Sequence, residues 1–305
     1  MDDRPTLELR PVRRAEPEEP RGGPWLPPPD DLVGRRAGRR FLLGEARGAG
    51  GLATVYRALD ERTGEVVAVK VLHQTYAGMA PLRARFAREV ALAKRLGAEL
   101  GAAGLASGVV QGRPYLALSY LEGPTLRQRV VEGGVVTPAT AAALGVALCR
   151  RLARLHGAGL VHNDIKPANV LADGGALLDL GSVLPRGATL ESIGGSSAYG
   201  APERWIDGAV ADPRGDVFAV GALLFEALCG RRPIEAHPAQ PVIERAVLEA
   251  PPLRTLRPGV DAALAQAIDR ALATEPAARF AGADALLAAL AAAGAPDPHG
   301  AQEVR

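Results

Sequence analysis

The sequence predicts an α+β protein of two lobes, in which a mostly β half precedes a mostly α half. Two observations carry this prediction. Up to about residue 121 most apolar runs are short and separated by turn residues, and after Glu122-Gly123-Pro124 the composition becomes rich in Ala and Leu at helical spacing. This order of elements places a natural cleft between the halves, where a ligand site is expected.

The first half is expected to form a five-stranded antiparallel sheet with one main helix. Gly64 lies in the turn between the second and third strands. Over residues 81–96 the spacing becomes helical, with Leu82, Phe86 and Val90 on one face and arginines outside. The predicted strands cover residues 41–43, 54–58, 66–72, 105–110 and 113–121.

The second half is expected to be helical apart from two short strands. These strands lie within residues 161–179, on either side of the turn Asp173-Gly174-Gly175. Residues 182–200 are rich in Gly and Ser and lack apolar periodicity, which predicts a long mobile loop. Helices are predicted at 138–156 and near 215–229, 238–249, 261–273 and 282–293.

Composition limits the classes of protein and partner. The 305 residues are 48% hydrophobic, and 36 basic against 34 acidic residues give a net charge of +2. This balance argues against nucleic acid or an anionic membrane surface as a partner of the whole chain. Cys149 and Cys229 have no metal-ligand spacing and are interpreted as reduced core residues. No apolar stretch reaches the roughly 20 residues that span a bilayer, so we expect no membrane span and a cytoplasmic protein.

The ends of the chain are expected to be tails. Residues 1–31 contain eight prolines and have no apolar period, which is typical of a flexible segment. Arginines at positions 35, 36, 39 and 40 predict a solvated entering turn rather than an anion site. The expected boundaries are a Pro-rich tail over 1–33, one domain over 34–290 with lobes at 34–121 and 122–290, and a C-terminal tail over 291–305.

Residues 161–171 and 178–181 carry the strongest chemical signal. Asp164 and Asp179 lie on either side of a glycine turn that brings both to one pocket. Mg²⁺ prefers carboxylate and amide oxygens, so Asp179 and Asn169 are predicted metal ligands, with substrate phosphates completing the shell. Asp164 is then expected to accept the proton of an incoming hydroxyl, while Lys166 neutralises charge on a transferred phosphoryl group.

A second group of residues, in the first half, predicts a phosphate site. Lys70 ends the apolar alternation of residues 67–69 and is expected to point into the cleft, and Glu89 on the helix is spaced to pair with it. The alternatives are a solvent-facing lysine and a surface pair of Glu89 with Arg85, worth ~0.2–0.5 kcal/mol. The glycine-rich loop before the second strand lets backbone amides approach a polyphosphate and contains Gly48, Ala49, Gly50 and Gly51.

Taken in order along the chain, these motifs resemble those of the Hanks-type protein kinases, in the bacterial serine/threonine branch. The likeness runs from about Gly34 to Leu290. It implies the bilobal protein kinase fold, ATP with Mg²⁺ or alternatively Mn²⁺, and transfer of the γ-phosphate to a Ser or Thr hydroxyl of a protein substrate. Autophosphorylation is a further implied reaction, and no oligomeric state is indicated.

The resemblance also implies roles that spacing alone does not assign. Leu118 falls on the gatekeeper position, and the backbone from Ser119 to Leu121 on the hinge that bonds the adenine edge. Glu203 of Ala201-Pro202-Glu203 is implied to pair with Arg279, and Asp216 to brace the catalytic loop. The apolar residues implied around adenine are Val55, Ala68 and Leu171.

Asn163 departs from the family pattern, because most members carry arginine before the catalytic aspartate. The usual partner of a phosphorylated activation loop is then absent, so we predict that activity does not require phosphorylation at Thr189 or Ser192. Ala53 and Leu180 replace a glycine and a phenylalanine without removing a catalytic group. Two alternatives stay open: a nucleotide-binding pseudokinase scaffold with vestigial catalysis, and a kinase of small molecules.

Overall fold

The computed structural model describes residues 32–190, 199–206, 208–234 and 249–294. Several expectations lie outside these described residues. They concern most of the Pro-rich tail, residues 191–198 of the Gly- and Ser-rich loop with Ser192, almost all of the helix near 238–249, and residues 295–305.

Within the described residues, the first half forms a six-stranded antiparallel sheet. The five predicted strands are present. A two-residue strand at the sheet edge is additional, and it returns through a tight turn at Gly38 and Arg39, both with positive φ. The spatial order is β1-β2-β3-β4-β6-β5, with β1 (Arg36–Ala37), β2 (Phe41–Ala49), β3 (Ala53–Asp60), β4 (Val66–Leu72), β5 (Gly104–Val110) and β6 (Arg113–Ser119).

Alternation along β4 separates the two sides of this sheet. Val67, Val69 and Val71 belong to a core cluster on one side, so the residues between them face the other side. Residues directly opposite each other on antiparallel strands share a face. The strand register therefore places four residues together on the second side, which faces the cleft. They are Val55, Ala68, Lys70 and Leu118.

A short helix, α1 (Gln74–Ala77), leads into α2 (Ala80–Leu100), which packs on the cleft side of the sheet. The buried residues of α2 recur at helical spacing, and Glu89 is the charged residue among them. The helix runs four residues beyond the predicted end and stops at Gly101. A Cβ at Gly101 would lie 2.1 Å from the carbonyl oxygen of Leu177, so this close approach requires glycine.

The second half is mainly helical, as predicted. Its described helices are α3 (Leu126–Gly133), α4 (Pro138–Gly157), α5 (Pro213–Cys229), α6 (Leu253–Leu256), α7 (Ala262–Ala271) and α8 (Ala283–Ala293). Asp212 caps α5 by accepting a bond from the Arg214 N–H at 2.8 Å. Helix α5 is buried along nearly its whole length, and its Asp216 bonds the backbone of residues 162 and 163.

The region between residues 160 and 185 differs from the prediction of two short strands around the glycine turn. One strand, β7 (Leu160–Val161), pairs with β8 (Leu184–Pro185), and the other is reduced to a bridge between Val170 and Leu177. The 3₁₀ turn Pro167–Asn169 immediately precedes this bridge, and backbone bonds of 2.9 Å from the Leu171 N–H to Ala176 and from the Leu178 N–H to Asn169 flank it. The glycine turn itself is present.

Two expectations from composition concern the cysteines and the membrane. Cys149 is buried, Cys229 is partly buried, and both are free thiols. Among the helices of the described residues, none has the length and apolar character needed to cross a bilayer.

The arginine cluster before β2 is engaged in ion pairs. Arg36 binds Glu61 through two hydrogen bonds of 2.8 and 2.9 Å, and Arg40 binds Asp60. The cluster therefore fixes the entrance to the sheet, in line with its interpretation as a turn rather than an anion site.

Candidate active site

Lys70 lies between two carboxylates. Its Nζ donates to Glu89 Oε1 at 2.6 Å and to Asp179 Oδ1 at 2.9 Å. The Lys70 side chain is 11% exposed, so the alternative of a solvent-facing lysine is wrong. Glu89 is buried, so a surface pair with Arg85 does not describe it. The contacts join β4, α2 and the segment after the glycine turn at one point.

The two carboxylates keep Lys70 charged. Burial alone would lower the pKa of Lys70, but attraction from Asp179 and Glu89 raises it above its usual range. Burial raises the pKa of Glu89, and the like charge of Asp179 raises it further. The attraction of Lys70 lowers it but does not cancel the effect of burial. One ammonium group therefore faces two carboxylates. An additional cation near Asp179 would offset the remaining negative charge.

Arg85 makes a second connection between α2 and the Asp179 segment. Its Nε donates to the Gly181 carbonyl oxygen at 2.7 Å and its Nη2 to Ser182 Oγ at 2.9 Å. The Gly181 N–H in turn donates to Asp179 Oδ1 at 2.8 Å. Movement of the helix would therefore move both Glu89 and the loop that holds Asp179.

Asp164 is contacted by two polar residues that follow it in its loop. Lys166 Nζ lies 3.1 Å from Asp164 Oδ2, and Asn169 Nδ2 donates to Asp164 Oδ2 at 3.0 Å. Because the amide nitrogen of Asn169 faces Asp164, its amide oxygen is left for another partner. The Leu178 N–H donates to the Asn169 carbonyl at 2.9 Å, which keeps Asn169 next to the Asp179 segment.

These residues fit a divalent cation of the oxygen-binding kind. The Asp179 side chain is 39% exposed despite its contact with Lys70, and the Asn169 amide oxygen is directed away from Asp164. Within the described residues no group of three or more His, Cys, Asp or Glu side chains is arranged for a metal. A cation here would therefore depend on Asp179, Asn169 and ligand oxygens, a set that suits Mg²⁺ with phosphates.

Asp216 braces the catalytic loop from α5. It accepts the His162 N–H at 2.7 Å and the Asn163 N–H at 2.8 Å, and His156 Nε2 lies 3.0 Å from its Oδ2. Burial would raise the pKa of Asp216, but these bonds, that of His156 foremost, hold it below its ordinary value. The implied bracing contact is present.

Asn163 has a left-handed backbone, with φ of +64°. Asparagine tolerates this conformation better than most residues. Its Nδ2 donates to the Val161 carbonyl at 3.0 Å and to the Ser182 carbonyl at 3.3 Å. Asn163, which departs from the family pattern, therefore stabilises the strained turn before Asp164.

The glycine-rich stretch joins β2 to β3, as predicted, with Gly48 and Ala49 in the end of β2 and residues 50–52 in the turn. The turn closes with a bond of 2.9 Å from the Gly50 N–H to the Ala53 carbonyl. A Cβ added at Gly48 or Gly51 would meet nothing within 4 Å, and neither residue has positive φ. The space beside both positions is therefore open within the described residues, which would let a ligand approach their backbone closely.

Two of the leucines that the resemblance places at the adenine site are buried. Leu118 and Leu171 are each 6% exposed, and Leu118 packs in the same cluster as Phe86. The Ser119 N–H is bonded to the Ala103 carbonyl at 2.9 Å, whereas the backbone bonds of the described residues include none from the N–H of Leu121. Leu121 therefore retains a donor at the position where the resemblance implies a bond to adenine.

The end of the loop after the catalytic residues is anchored to the helical lobe. Glu203 accepts two bonds from Arg279, of 2.7 and 2.8 Å, and the Arg279 side chain is completely buried. This is the pair that the resemblance implies. A second anchor, from Tyr199 OH to Glu226 Oε2 at 2.5 Å, was absent from the sequence analysis, because neither residue lies in a recognised motif.

Arg85 and Arg204 are further site residues that sequence reasoning missed. Arg204 Nη1 donates to the Asn163 carbonyl at 2.9 Å. Arginines on a helix or beside an exposed loop usually indicate a solvated surface. The one available signal was the position of Arg204 directly after Glu203, within an anchored turn.

Comparisons with known proteins agree with this geometry. The family model described as the protein kinase domain matches residues 41–288. The chain is 35% identical over 271 residues to the serine/threonine-protein kinase PknL of Mycobacterium tuberculosis, covering 86% of this chain and 68% of that protein. It is 33% identical over 294 residues to the serine/threonine-protein kinase Pkn1 of Myxococcus xanthus, covering 91% of this chain and 41% of that protein.

Solved structures give the same result. The crystal structure of the Mycobacterium tuberculosis PknI kinase domain superimposes with a TM-score of 0.66 at 26% identity, covering 87% of this chain and 100% of that one. A single-residue mutant of the same domain superimposes with a TM-score of 0.67 at 27% identity, covering 87% of this chain and 99% of that one. The sheet, the helical lobe and the matched sequences together establish that this chain belongs to the protein kinase family, among the Hanks-type serine/threonine kinases of bacteria.

Proposed function

We propose that the protein is a catalytically active serine/threonine kinase that transfers the γ-phosphate of ATP to protein hydroxyls. The observation that carries this proposal is the position of Lys70, within 2.6 Å of Glu89 and 2.9 Å of Asp179. Three charged groups from separate elements converge there. In the kinase family this arrangement aims the lysine at the α- and β-phosphates.

The nucleotide site is proposed along the cleft side of the sheet. Backbone amides of residues 48–51 would approach the phosphates, and the backbone of Ser119 and Leu121 would bond the adenine edge. The free N–H of Leu121 supports this assignment. The apolar residues proposed to enclose the adenine are Val55, Ala68, Leu118 and Leu171.

Asn169 and Asp179 are proposed as the metal ligands. Their available oxygen atoms suit Mg²⁺, and Mn²⁺ accepts the same ligands. The nucleotide with its cation supplies the phosphoryl group, the leaving diphosphate and the charge that offsets the phosphate oxygens.

Asp164 is proposed as the base. It takes the proton of the acceptor hydroxyl while that oxygen forms its bond to the γ-phosphorus and the bond to the β-phosphate oxygen breaks. Lys166, 3.1 Å from Asp164, offsets negative charge on the transferred group. Asn169 orients the Asp164 carboxylate by donating to it.

A protein, rather than a small molecule, is the proposed acceptor. The anchors of the segment after the catalytic loop, Glu203 with Arg279 and Tyr199 with Glu226, support a fixed platform on which a peptide chain would lie. Autophosphorylation is part of the proposal, because the protein's own Ser and Thr residues are available acceptors. The scaffold alternative is weaker, since all four residues are retained, with Lys70 bonded to Asp179 and Asn169 bonded to Asp164.

The proposed kinase domain covers residues 34–290, with lobes at 34–121 and 122–290 and tails at 1–33 and 291–305. A cytoplasmic location is proposed, because ATP is supplied there and the free thiols of Cys149 and Cys229 stay reduced in that compartment.

Asp164→Asn tests the proposal. Transfer of labelled phosphate to a generic basic protein should fall by roughly 10²- to 10⁴-fold, while ATP binding measured by calorimetry persists. Asp173→Asn is a matched control, since Asp173 lies in the same region but pairs with Arg129 at the surface. Retained transfer in Asp164→Asn would refute the assignment of the base. No transfer by the unmodified protein would favour the scaffold.

Mass spectrometry after incubation with ATP and Mg²⁺ addresses autophosphorylation and acceptor type. Phosphorylated Ser or Thr residues should be present in the unmodified protein and absent in Lys70→Met. Equal modification of both proteins would contradict the role of Lys70.

A further inference from the structure

Arg204 reaches the catalytic loop from the far end of the loop that follows it. Its Nη1 donates to the carbonyl oxygen of Asn163 at 2.9 Å, across 41 residues of sequence. Arg204 belongs to the 3₁₀ turn Pro202–Trp205. That turn is fixed by its neighbour Glu203, which Arg279 holds with two hydrogen bonds. The backbone that carries Arg204 is therefore held in a fixed position.

The carbonyl that Arg204 holds belongs to the peptide group that enters Asp164. On the other side of that peptide group, the Asp164 N–H donates to His162 Nδ1 at 3.3 Å. The N–H groups of His162 and Asn163 are bound by Asp216. The direction of the Asp164 carboxylate therefore depends on contacts that fix the peptide groups before it.

Fold stability alone does not explain the place of Arg204. Burial lowers the pKa of Arg204, although Asp164 and Asp216 attract its charge. Arg85 lies near enough to repel it. Holding a cation in such surroundings costs free energy unless it is compensated.

We propose that Arg204 is a positioning residue for the phosphoryl transfer: it holds the Asn163 carbonyl and so aims Asp164, supplying from the end of the activation segment the cationic contact that Asn163 itself lacks. This inference rests on the proposed function. Its consequence is that the segment and the catalytic loop are linked by a permanent side-chain contact, without an added phosphate.

Steady-state kinetics of Arg204→Met and Arg204→Lys test the proposal. Because a misplaced catalytic group costs up to 10²-fold, kcat of Arg204→Met should fall by about 10- to 100-fold. KM for ATP should stay within about twofold, since the nucleotide contacts are elsewhere. Arg204→Lys should recover most of kcat, because an ammonium still provides a donor and a charge. Arg186→Met is the control, since Arg186 is an exposed arginine of the same segment.

A second measurement does not depend on activity. Amide hydrogen exchange at residues 160–166, without ATP, should be faster in Arg204→Met than in the unmodified protein and in Arg186→Met. Unchanged exchange, or kcat equal in Arg204→Met and the unmodified protein, would overturn the positioning role. Equal loss of kcat in the Lys and Met variants would also overturn it. If the unmodified protein transfers no phosphate, the proposed function fails, and the exchange still decides whether Arg204 holds the loop.

Discussion

The pair of the buried Arg279 with Glu203, whose side chain is 28% exposed, should be worth more than a surface pair of the same geometry. All five N–H groups of the Arg279 guanidinium are used: two on Glu203, and three on the carbonyl oxygens of Ala273, Thr274 and Arg214. The guanidinium carbon also lies 4.9 Å from the centroid of the Phe218 ring. Glu203→Ala would leave two of these donors and the whole charge without a partner.

The expected loss follows from burial. The side chain of Arg279 is 0% exposed, and removing one partner of a buried pair costs about 3–5 kcal/mol of unfolding free energy. Arg36 and Glu61 form the matched control, because they also share two bonds but their side chains are 55% and 33% exposed. Glu61→Ala should lower the unfolding free energy much less than Glu203→Ala, since solvent screens such a pair.

Urea unfolding followed by tryptophan fluorescence makes the comparison. Trp205 lies two residues after Glu203, and Trp25→Phe leaves it as the single reporter of the chain's two tryptophans. Both glutamate variants are measured in that background, at equal slope against urea concentration. A loss below about 1 kcal/mol for Glu203→Ala, or one equal to that of Glu61→Ala, would refute the reasoning from burial.

Three further changes test the close approaches and the loop. Gly101→Ala should lower the unfolding free energy by about 1–3 kcal/mol in denaturation measurements, because its Cβ would lie 2.1 Å from the carbonyl oxygen of Leu177. Gly48→Ala should leave stability unchanged, as nothing lies within 4 Å of its Cβ, yet weaken ATP binding in a titration. Equal affinity would argue against a phosphate site there. Thr189→Ala should keep kcat within about twofold in a kinase assay, and a large loss would show that Thr189 modification is required.

The parts of the fold that were predictable are those in which local pattern decides. The β2–β3 hairpin, the alternation of β4 and the helical spacing of α2 depend on residues a few positions apart. The pair of Lys70 and Glu89 was predictable because strand and helix each present one face to the cleft. Asp216 and Glu203 required the family resemblance, since no local pattern connects them with His162 or Arg279.

The remaining features depend on contacts that sequence periodicity does not encode. The bond of Arg85 to Gly181 spans 96 residues and that of Arg204 to Asn163 spans 41. The end of α2 at Gly101 depends on the approach of Leu177, whose position is set by a different lobe. In each case the residue type alone suggests an ordinary role, that of a solvated arginine or a turn glycine. Only the tertiary contacts show the different role that the residue has in the fold.

The electrostatics of the site favour function as the reason for its composition. Lys70, Glu89 and Asp179 bring one positive and two negative charges together in a largely buried place. Buried ion pairs often contribute little net stability compared with apolar residues of the same volume. The arrangement leaves an excess of negative charge beside Asn169, whose amide oxygen is available. A divalent cation held by Asp179 and Asn169 would offset this excess, and Lys70 would then be shared between the carboxylates and the phosphates that accompany the cation.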